Sequence, residues 1–461
     1  MGVPLIAPIT SYSSYSSYSL LSILFTPILS YSSYPSYFIL FDPIISIASI
    51  TGDKIMKSNE GGLWTITLFA TNEIPSVVVT FVAIIMFLQM GMGVAMSTLF
   101  AALLLLPWVG QPLMRRFMPG AEGGRMWLHM VEAMIATILL TFALTMDYGK
   151  CWCVVMLMAI SILSAWHDLQ ARRYYKRRTM YARESYHGLL RTMSSQMATV
   201  LTYGLMIMAV GVLQIYFRQR AVTYSWALGC YILAGVYLLL TMANVLLLRT
   251  PGNPASPMPQ HWPWQHVGWA WQSVLLAMML LPQGLMFYSR TIFLLARPQY
   301  GGVGCTLQEI GFAQGTIGVI AFLLGVAMGR SMQYRYGEER MRLPLTICLG
   351  LSPMVYLTMT QYIPDGLWTL SLYTFMAQLL FGLGLNACRK YIENISGERY
   401  QNAVNPLYIP VISLCLLLPM ALSGFLLERM SYEHFFLMDA LCAPIAWIGI
   451  LLFSIVMRKR A

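Results

Sequence analysis

Twelve apolar segments make up almost the whole chain from residue 62 onwards. Each is near the roughly 20 residues that an α-helix needs to cross the hydrocarbon of a bilayer. The composition agrees, because 58% of the residues are hydrophobic and 10% are charged, against about a quarter in soluble proteins. The predicted spans are 62–89, 94–113, 126–146, 152–169, 187–216, 223–248, 266–296, 307–329, 342–362, 366–388, 402–427 and 433–457. These features exclude a soluble fold and predict an all-α, polytopic membrane protein embedded in a lipid bilayer.

The positions of the basic residues support this count. With both termini in the cytoplasm, the predicted inner loops carry most of the 29 lysines and arginines. The predicted outer loops carry five: Lys150, Arg218, Arg220, Arg297 and Arg429. Positive charge concentrates in cytoplasmic loops, and a wrong helix count would scramble this asymmetry. The net charge of +11 therefore reflects basic residues in cytoplasmic loops, and no nucleic-acid partner is predicted.

The two halves of the chain carry a similar short motif. The second span is followed by 110-GQPLMR-115 and the eighth by 325-GVAMGR-330, so Gly110 and Arg115 correspond to Gly325 and Arg330. Repeated halves are the architecture of many secondary transporters. The predicted fold is therefore two six-helix bundles of the major facilitator type. The predicted parts are an N-terminal bundle over 56–248, a Pro-rich cytoplasmic linker over 249–265 and a C-terminal bundle over 266–461.

Residues 1–55 differ from the rest and form a Ser/Tyr-rich, low-complexity leader. This segment has no Lys or Arg before Lys54, so it lacks the basic start of a secretory signal. Its apolar pieces are short and interrupted by proline, which makes them poor spans. Two interpretations stay open: a disordered leader, or an upstream region included by a mis-called start codon. We favour the second, with Met56 as the true start.

A glutamate lies inside the first span, in the stretch 68-LFATNEIPSVVVTF-81. Removing a carboxylate from water costs several kcal/mol unless it has a partner or a purpose. Asn72 precedes Glu73, and Pro75 frees backbone groups that can line a cavity. We therefore favour a role for Glu73 in proton transfer or substrate contact over that of a merely buried, protonated acid.

Further polar residues lie within the other spans. The candidates for proton coupling or substrate contact are Asn72, Glu73, His167, Asp168, Arg191, Gln283, Arg290, Glu309 and Gln314. Asp168 and Arg191 lie on adjacent helices and are expected to neutralise each other, as a structural salt bridge or as a gate. Other positions have simpler interpretations. His129 and Glu132 are expected to be interfacial and solvated, and Asp439 to reach the outer interface.

Two of the candidates have an alternative structural interpretation. Glu309 is expected in the first turn of its helix, where a negative charge is favourable. Arg290 is long enough to reach a nearby membrane surface. Glycines in the eighth span are expected to let neighbouring helices approach closely: Gly311, Gly315, Gly318, Gly325 and Gly329.

No catalytic pattern is visible in the sequence. The eight cysteines have no metal-ligand spacing, and there is no phosphate-binding loop and no nucleophile elbow. We therefore predict a protein that is not an enzyme, with no catalytic residues, no metal and no cofactor.

Four stretches resemble the AmpG-type permeases of the major facilitator superfamily, particularly their Bacteroidetes versions. These are 71-TNEIPSVVV-79 with 103-LLLLPWVGQPL-113, then 165-AWHDLQARRYY-175, then 301-GGVGCTLQEIGFAQGTIGVIAFLLG-325, and last 423-SGFLLERMSYEHFFLMDALC-442. The third carries the family's glycine-rich loop and its E-x-G-x-x-x-G-T-x-G opening of helix eight. The similarity covers roughly residues 62–450 in patches.

The resemblance implies a monomeric, proton-linked importer in the inner membrane. Characterised members carry anhydromuropeptides, the sugar-peptide fragments of cell-wall turnover, for peptidoglycan recycling. The chain departs from the family at several charged positions. Gln111 replaces a usual lysine, Gln283 replaces a frequent glutamate, and a basic run over 172–178 replaces an acidic residue after His167 and Asp168.

Three functions remain open at this level. The first is proton-coupled import of a muropeptide or a similar amphiphilic solute by alternating access. The second is efflux of a drug or metabolite, because direction is not encoded in a visible motif. The third is a membrane sensor or assembly protein that no longer transports, which the lost family charges would favour.

Overall fold

The structure is a computed structural model that describes residues 62–114, 117, 124–179, 184–249, 269–396 and 408–458. The predicted leader over 1–55, Met56, Arg115 and all of the predicted linker beyond Arg249 lie outside the described residues. Within the described ranges every regular element is a helix. We number the span-sized elements α1 to α12 in chain order.

The twelve elements coincide with the twelve predicted spans. They are α1 (Leu63–Gln89), α2 (Val94–Met114), α3 (Gly124–Leu144), α4 (Lys150–Thr179), α5 (Glu184–Thr199, Val200–Leu205 and Met206–Tyr216), α6 (Val222–Leu247), α7 (Trp269–Leu295), α8 (Leu307–Tyr336), α9 (Glu338–Gln361), α10 (Leu367–Ser396), α11 (Tyr408–Leu427) and α12 (Tyr432–Leu441 and Ala443–Arg458). Eleven of them are long and apolar enough to cross a membrane. The last, α12, is interrupted at Cys442. The prediction of an all-α, multi-pass membrane fold is confirmed.

Among the described residues three of the helices contain a π-helical turn. The turns are Val78–Val82 in α1, Val200–Leu205 in α5 and Ala313–Ile317 in α8. The turn in α1 begins three residues after Pro75, whose missing N–H disturbs the hydrogen-bond ladder. The turn in α5 packs against those of α1 and α8. Such turns are frequent at functional sites.

Helices α1 and α3 to α6 pack against one another, and so do α7 to α12. The two halves meet where α5 packs on α8 and α2 on α11. Glycines permit both approaches, because a Cβ on Gly315 would collide with the backbone of Gly204 and one on Gly424 with that of Val94 and Ala95. The predicted packing role of the α8 glycines agrees with these contacts.

One hydrogen bond joins the halves at the end of the bundle where α2 begins and α11 ends. The Glu428 carboxylate accepts from the backbone N–H of Ala95 in the first turn of α2, at 2.8 Å. An acceptor there satisfies one of the free N–H groups of a helix start. We call this the Glu428 end, and the opposite one, where α4 finishes, the Arg172 end.

Candidate functional site

Two clusters of buried polar side chains lie at different depths in the bundle. The first, the Asp168 network, lies nearer the Arg172 end. Its members come from α1, α2, α3, α4 and α6: Thr71, Asn72, Gln111, His129, Glu132, His167, Asp168, Arg172 and Asn244. The second, the Arg290 cluster, lies where the two halves meet. Its members come from α5, α7, α8 and α9: Tyr203, Arg290, Thr291, Gln314 and Tyr356.

Asp168 is the centre of one half of the Asp168 network. Its carboxylate accepts from the guanidinium of Arg172, one turn further along α4, with Nε at 3.0 Å from Oδ1. Gln111 donates to Oδ2 at 2.8 Å and Asn72 to Oδ1 at 3.2 Å. All four side chains are buried. This carboxylate therefore has a charged partner and two further donors.

Glu132 is the centre of the other half. Its Oε1 accepts from Asn244 at 2.6 Å and from Thr71 at 3.1 Å, and it faces His167 Nε2 at 3.2 Å. The other ring nitrogen of His167 lies 3.1 Å from Asn72 Oδ1, which links the two halves. His129 Nδ1 is 3.3 Å from Oε2. The expectation that Glu132 is interfacial is wrong: it is fully buried, because α1, α4 and α6 cover the face of α3 on which it lies.

Asp168 pairs with Arg172, and its predicted pairing with Arg191 stays a prediction. A spacing of four residues on one helix brings Arg172 onto the carboxylate without any interhelical fit. Arg191 places its guanidinium over the ring of Phe69, 4.7 Å from the centroid, and near that of Tyr175, at 5.7 Å. Cations are attracted to the faces of aromatic rings.

Glu73 lies beside the Asp168 network and faces α5. It is half-buried, and Ser195 of α5 is within hydrogen-bonding reach of its carboxylate. The positive charges of Arg191 and Arg172 both act on it. Glu73 is therefore within Coulombic range of a cation of α4 and a cation of α5, on a helix whose π turn begins five residues later.

The Arg290 cluster is organised by the side-chain amide of Gln314. Its oxygen accepts from the hydroxyl of Tyr203 and, at 3.1 Å, from that of Thr291. Gln314 itself lies in the π turn of α8, and Tyr203 in that of α5. The two turns therefore place a tyrosine of the first half against a glutamine of the second.

Arg290 lies within Coulombic range of both tyrosines, Tyr203 and Tyr356. Its guanidinium lies 5.4 Å from the ring centroid of Phe287. The interpretation of Arg290 as reaching the membrane surface is wrong, because only 6% of the residue is exposed. Aromatic rings line the same region: Phe81 of α1 lies 5.1 Å from Tyr203 and 5.2 Å from Phe287, centroid to centroid.

The other predicted candidates lie outside the two polar clusters. Glu309 forms a capping box with Thr306 at the start of α8, as its first-turn interpretation anticipated. Gln283 is buried and donates to the backbone carbonyl of Leu349 at 2.7 Å. Asp439 is fully buried, so the expectation that it reaches an interface is wrong. Arg330 is exposed on α8 and Gly110 ends a short helical segment of α2, so the equivalence of the two G-x4-R motifs stays a prediction.

Several residues of these clusters were not singled out in the sequence. Tyr203 and Tyr356 are two of 27 tyrosines, and nothing local distinguishes them. Asn244 carries a signal that was available, since an amide near the end of a long apolar span needs partners. Arg172 lies in a basic run that resembles a cytoplasmic loop. Among the described residues no group of three or more His, Cys, Asp and Glu side chains is placed to hold a metal ion.

Three solved structures with a similar fold are membrane transporters by their descriptions. One is a bacterial homologue of the human lysosomal transporter Spinster in an inward-facing, occupied conformation, with a TM-score of 0.63 and 13% identity over 85% of this chain and 96% of that one. A second is the nucleoside transporter NupG, with a TM-score of 0.62, 13% identity and coverage of 85% and 98%. A third is a bacterial homologue of the human drug and peptide transporters PepT1 and PepT2, with a TM-score of 0.61, 12% identity and coverage of 87% and 99%.

No protein-family model matches the sequence, and no curated protein matches it significantly. At these identities the structural similarity shows the fold alone. The chain has the major facilitator fold, spanning nearly the whole length of the structures it resembles.

Proposed function

We propose that this protein is a secondary transporter of the inner membrane that imports anhydromuropeptides, or a similar amphiphilic solute, together with protons. Three solved structures of this fold are transporters by description: one is a nucleoside transporter, and another is a bacterial homologue of the human drug and peptide transporters. The choice of muropeptides rests on the resemblance of residues 62–450 to AmpG-type permeases. Both termini are proposed to be cytoplasmic, and the transporter is proposed to act as a monomer.

The observation that carries the proposal is the position of the Arg290 cluster. Tyr203 belongs to the first half of the chain, whereas Arg290 and Gln314 belong to the second. Polar and ionisable groups within a membrane bundle are costly, and they usually mark a solute or ion pathway. In alternating access the two halves rock about a site between them, so a site built from both halves is exposed to each side in turn.

The contacts between the halves support a rocking motion. The α2·α11 contact at Ala95 and Glu428 lies at the Glu428 end. The α5·α8 contact is glycine-lined at Gly204 and Gly315, where few side-chain atoms would have to move. We propose that opening at the Glu428 end breaks the hydrogen bond to Ala95 and exposes the Arg290 cluster from that side.

We propose Glu73 as the proton-carrying residue. Ser195 of α5 is within hydrogen-bonding reach of the Glu73 carboxylate and Arg191 of α5 attracts it, so we propose that this charge pulls α5 and α1 together. Protonation removes that attraction and releases α1 relative to α5. Coupling therefore acts through the two helices that also carry the π turns beside the Arg290 cluster.

The domain boundaries are part of the proposal. We propose six-helix bundles over 56–248 and 266–461 joined by a cytoplasmic linker over 249–265, with Met56 as the first residue of the native protein. Mass spectrometry of the native N-terminus tests the start. Peptides from within residues 1–55 would contradict it.

Uptake of labelled anhydromuropeptide into proteoliposomes with an imposed pH gradient tests the function. We expect accumulation that a protonophore abolishes, and expect Glu73→Gln to lose accumulation while retaining exchange of internal for external solute. Glu309→Gln is the matched control, because glutamine also fits the capping box. Uptake that is insensitive to the protonophore and to Glu73→Gln would overturn proton coupling. Absence of wild-type uptake would overturn the cargo.

A further inference from the structure

We infer that the Arg290 cluster binds a carboxylate group of the transported solute; this rests on the proposed transport function. The guanidinium of Arg290, the amide of Gln314 and the hydroxyl of Tyr356 form the binding site. A wall of aromatic rings formed by Phe81 and Phe287 lies beside them. The site thus has a cationic part and an apolar part, which fits an amphiphilic anion.

The argument begins with a buried charge that has no counter-ion. None of the ion pairs among the described residues includes Arg290, although only 6% of this residue is exposed. Its Nε also has no hydrogen-bond partner there. A buried guanidinium without a carboxylate is costly, and an anionic ligand would remove that cost.

Two further donors at this site are also unsatisfied. The Nε2 of Gln314 and the hydroxyl of Tyr356 are both buried without a partner among the described residues. The amide is fixed in orientation, because its oxygen accepts from Tyr203 and Thr291. Gln314 therefore presents its N–H₂ group as a donor. Buried polar groups are almost always paired in folded proteins, so two unpaired donors beside an unpaired guanidinium indicate a missing acceptor.

The charge balance favours a carboxylate over a phosphate. Arg290 is the only cation assigned to the cluster, and Tyr203, Thr291, Gln314 and Tyr356 are neutral donors or acceptors. One guanidinium neutralises a monoanion, whereas a phosphate monoester carries about −1.5 to −2 near neutral pH. The planar fork of arginine also matches the two oxygens of a carboxylate.

Thermal unfolding of the purified, full-length protein in detergent tests the inference with defined probes. The probes are 3-phenylpropionate, its neutral amide 3-phenylpropionamide, and phenyl phosphate. The variant Arg290→Met keeps an unbranched, flexible apolar stem and removes the guanidinium and its charge. Arg297→Met is the matched control, because Arg297 is exposed just beyond the end of α7.

We expect 3-phenylpropionate to raise the Tm of the wild-type protein and of Arg297→Met in a saturable manner, and to leave Arg290→Met unchanged. We expect 3-phenylpropionamide to have a smaller effect. Without a probe, Arg290→Met should have a Tm at or above that of the wild type, because it removes an uncompensated charge. In Tyr356→Phe the carboxylate should bind about tenfold more weakly, since one donor to a charged group is lost.

The inference is overturned if 3-phenylpropionate fails to raise the wild-type Tm, or if it raises that of Arg290→Met equally. An equal effect of the amide would show that binding is apolar only and overturns it too. A larger effect of phenyl phosphate overturns the choice of a carboxylate. Uptake of anhydromuropeptide without any of these shifts would refute this site and leave the transport function standing, whereas the shifts without uptake would refute the cargo and leave the site standing.

Discussion

The two polar clusters of this protein differ in how their charged groups are paired: the carboxylates of the Asp168 network have partners, although His129 Nε2 and Asn244 Oδ1 do not, whereas Arg290 has no counter-ion among the described residues. In the Asp168 network the carboxylates of Asp168 and Glu132 each accept several donors, and Asp168 has a cationic partner. In the Arg290 cluster a cation and two neutral donors have no acceptor among the described residues. Paired buried charges fix the relative positions of helices, whereas an unpaired buried charge is costly and favours a ligand of opposite charge.

The positions of the Asp168 network and the Arg290 cluster in the bundle agree with the difference in how their charges are paired. The Asp168 network joins five helices of the first half, so it is expected to move as one body. The Arg290 cluster takes Tyr203 from the first half and its other members from the second. Polar residues in a membrane bundle therefore divide into those that hold a half together and those that lie between halves.

The largest expected effect comes from breaking the Asp168 network. Asp168→Ala leaves the buried guanidinium of Arg172 without its carboxylate, and we expect a loss of about 3–5 kcal/mol in the free energy of unfolding. Asp365→Ala, in an exposed loop, is the control and should change stability little. Chemical unfolding in mixed micelles measures both.

The double variant Asp168→Leu/Arg172→Leu sharpens the same comparison. Removing both charges leaves neither member of this ion pair buried without its partner, so the double variant should be more stable than Asp168→Ala. A double variant no more stable than the single one would show that the neutral hydrogen bonds, and not the ion pair, hold the network.

An intermediate effect is expected at the crossing of α5 and α8. Gly315→Leu places a side chain against the backbone of Gly204, and we expect a loss of about 1–3 kcal/mol from overpacking. The crossing should also open, so a cysteine pair across α5 and α8 should cross-link less in this variant. Gly188→Leu serves as the control, since a Cβ there meets nothing within 4 Å. Unchanged cross-linking would mean that the glycine contact is not required for closure.

The smallest expected effect is at the amide that organises the Arg290 cluster. Tyr203→Phe removes one of the two hydroxyl donors to Gln314 and should cost about 1 kcal/mol of stability. It should also let the amide rotate, so that stabilisation by 3-phenylpropionate weakens. Stability and binding equal to those of the wild type would indicate that Thr291 alone orients Gln314.

Much of the fold could be predicted from the sequence, and much less of the site. The length and apolarity of each segment predict a membrane-spanning helix. Inside hydrocarbon the backbone N–H and C=O groups must be hydrogen-bonded to each other, and an α-helix achieves this within one segment. The predictions that failed concern which side chains and helices contact a given polar residue. Arg172 was not singled out in the sequence as a partner of Asp168, although an i,i+4 contact on one helix needs no interhelical alignment. The position of Glu132 near the start of α3 predicted an interfacial side chain. The sequence does not show which helices cover the face of α3 on which Glu132 lies, and the structure shows that it is buried.

The sequence by itself therefore determined the number of helices, their approximate ends and the presence of costly polar groups inside them. Hydrophobicity and length are local properties, and they are read directly from the residues. Only the tertiary structure decided that Glu132 is satisfied and Arg290 is not, because satisfaction depends on atoms contributed by helices far apart in the chain. It also showed that Tyr203 and Gln314 meet across the two halves, through π turns and glycines whose combined effect no single segment reveals.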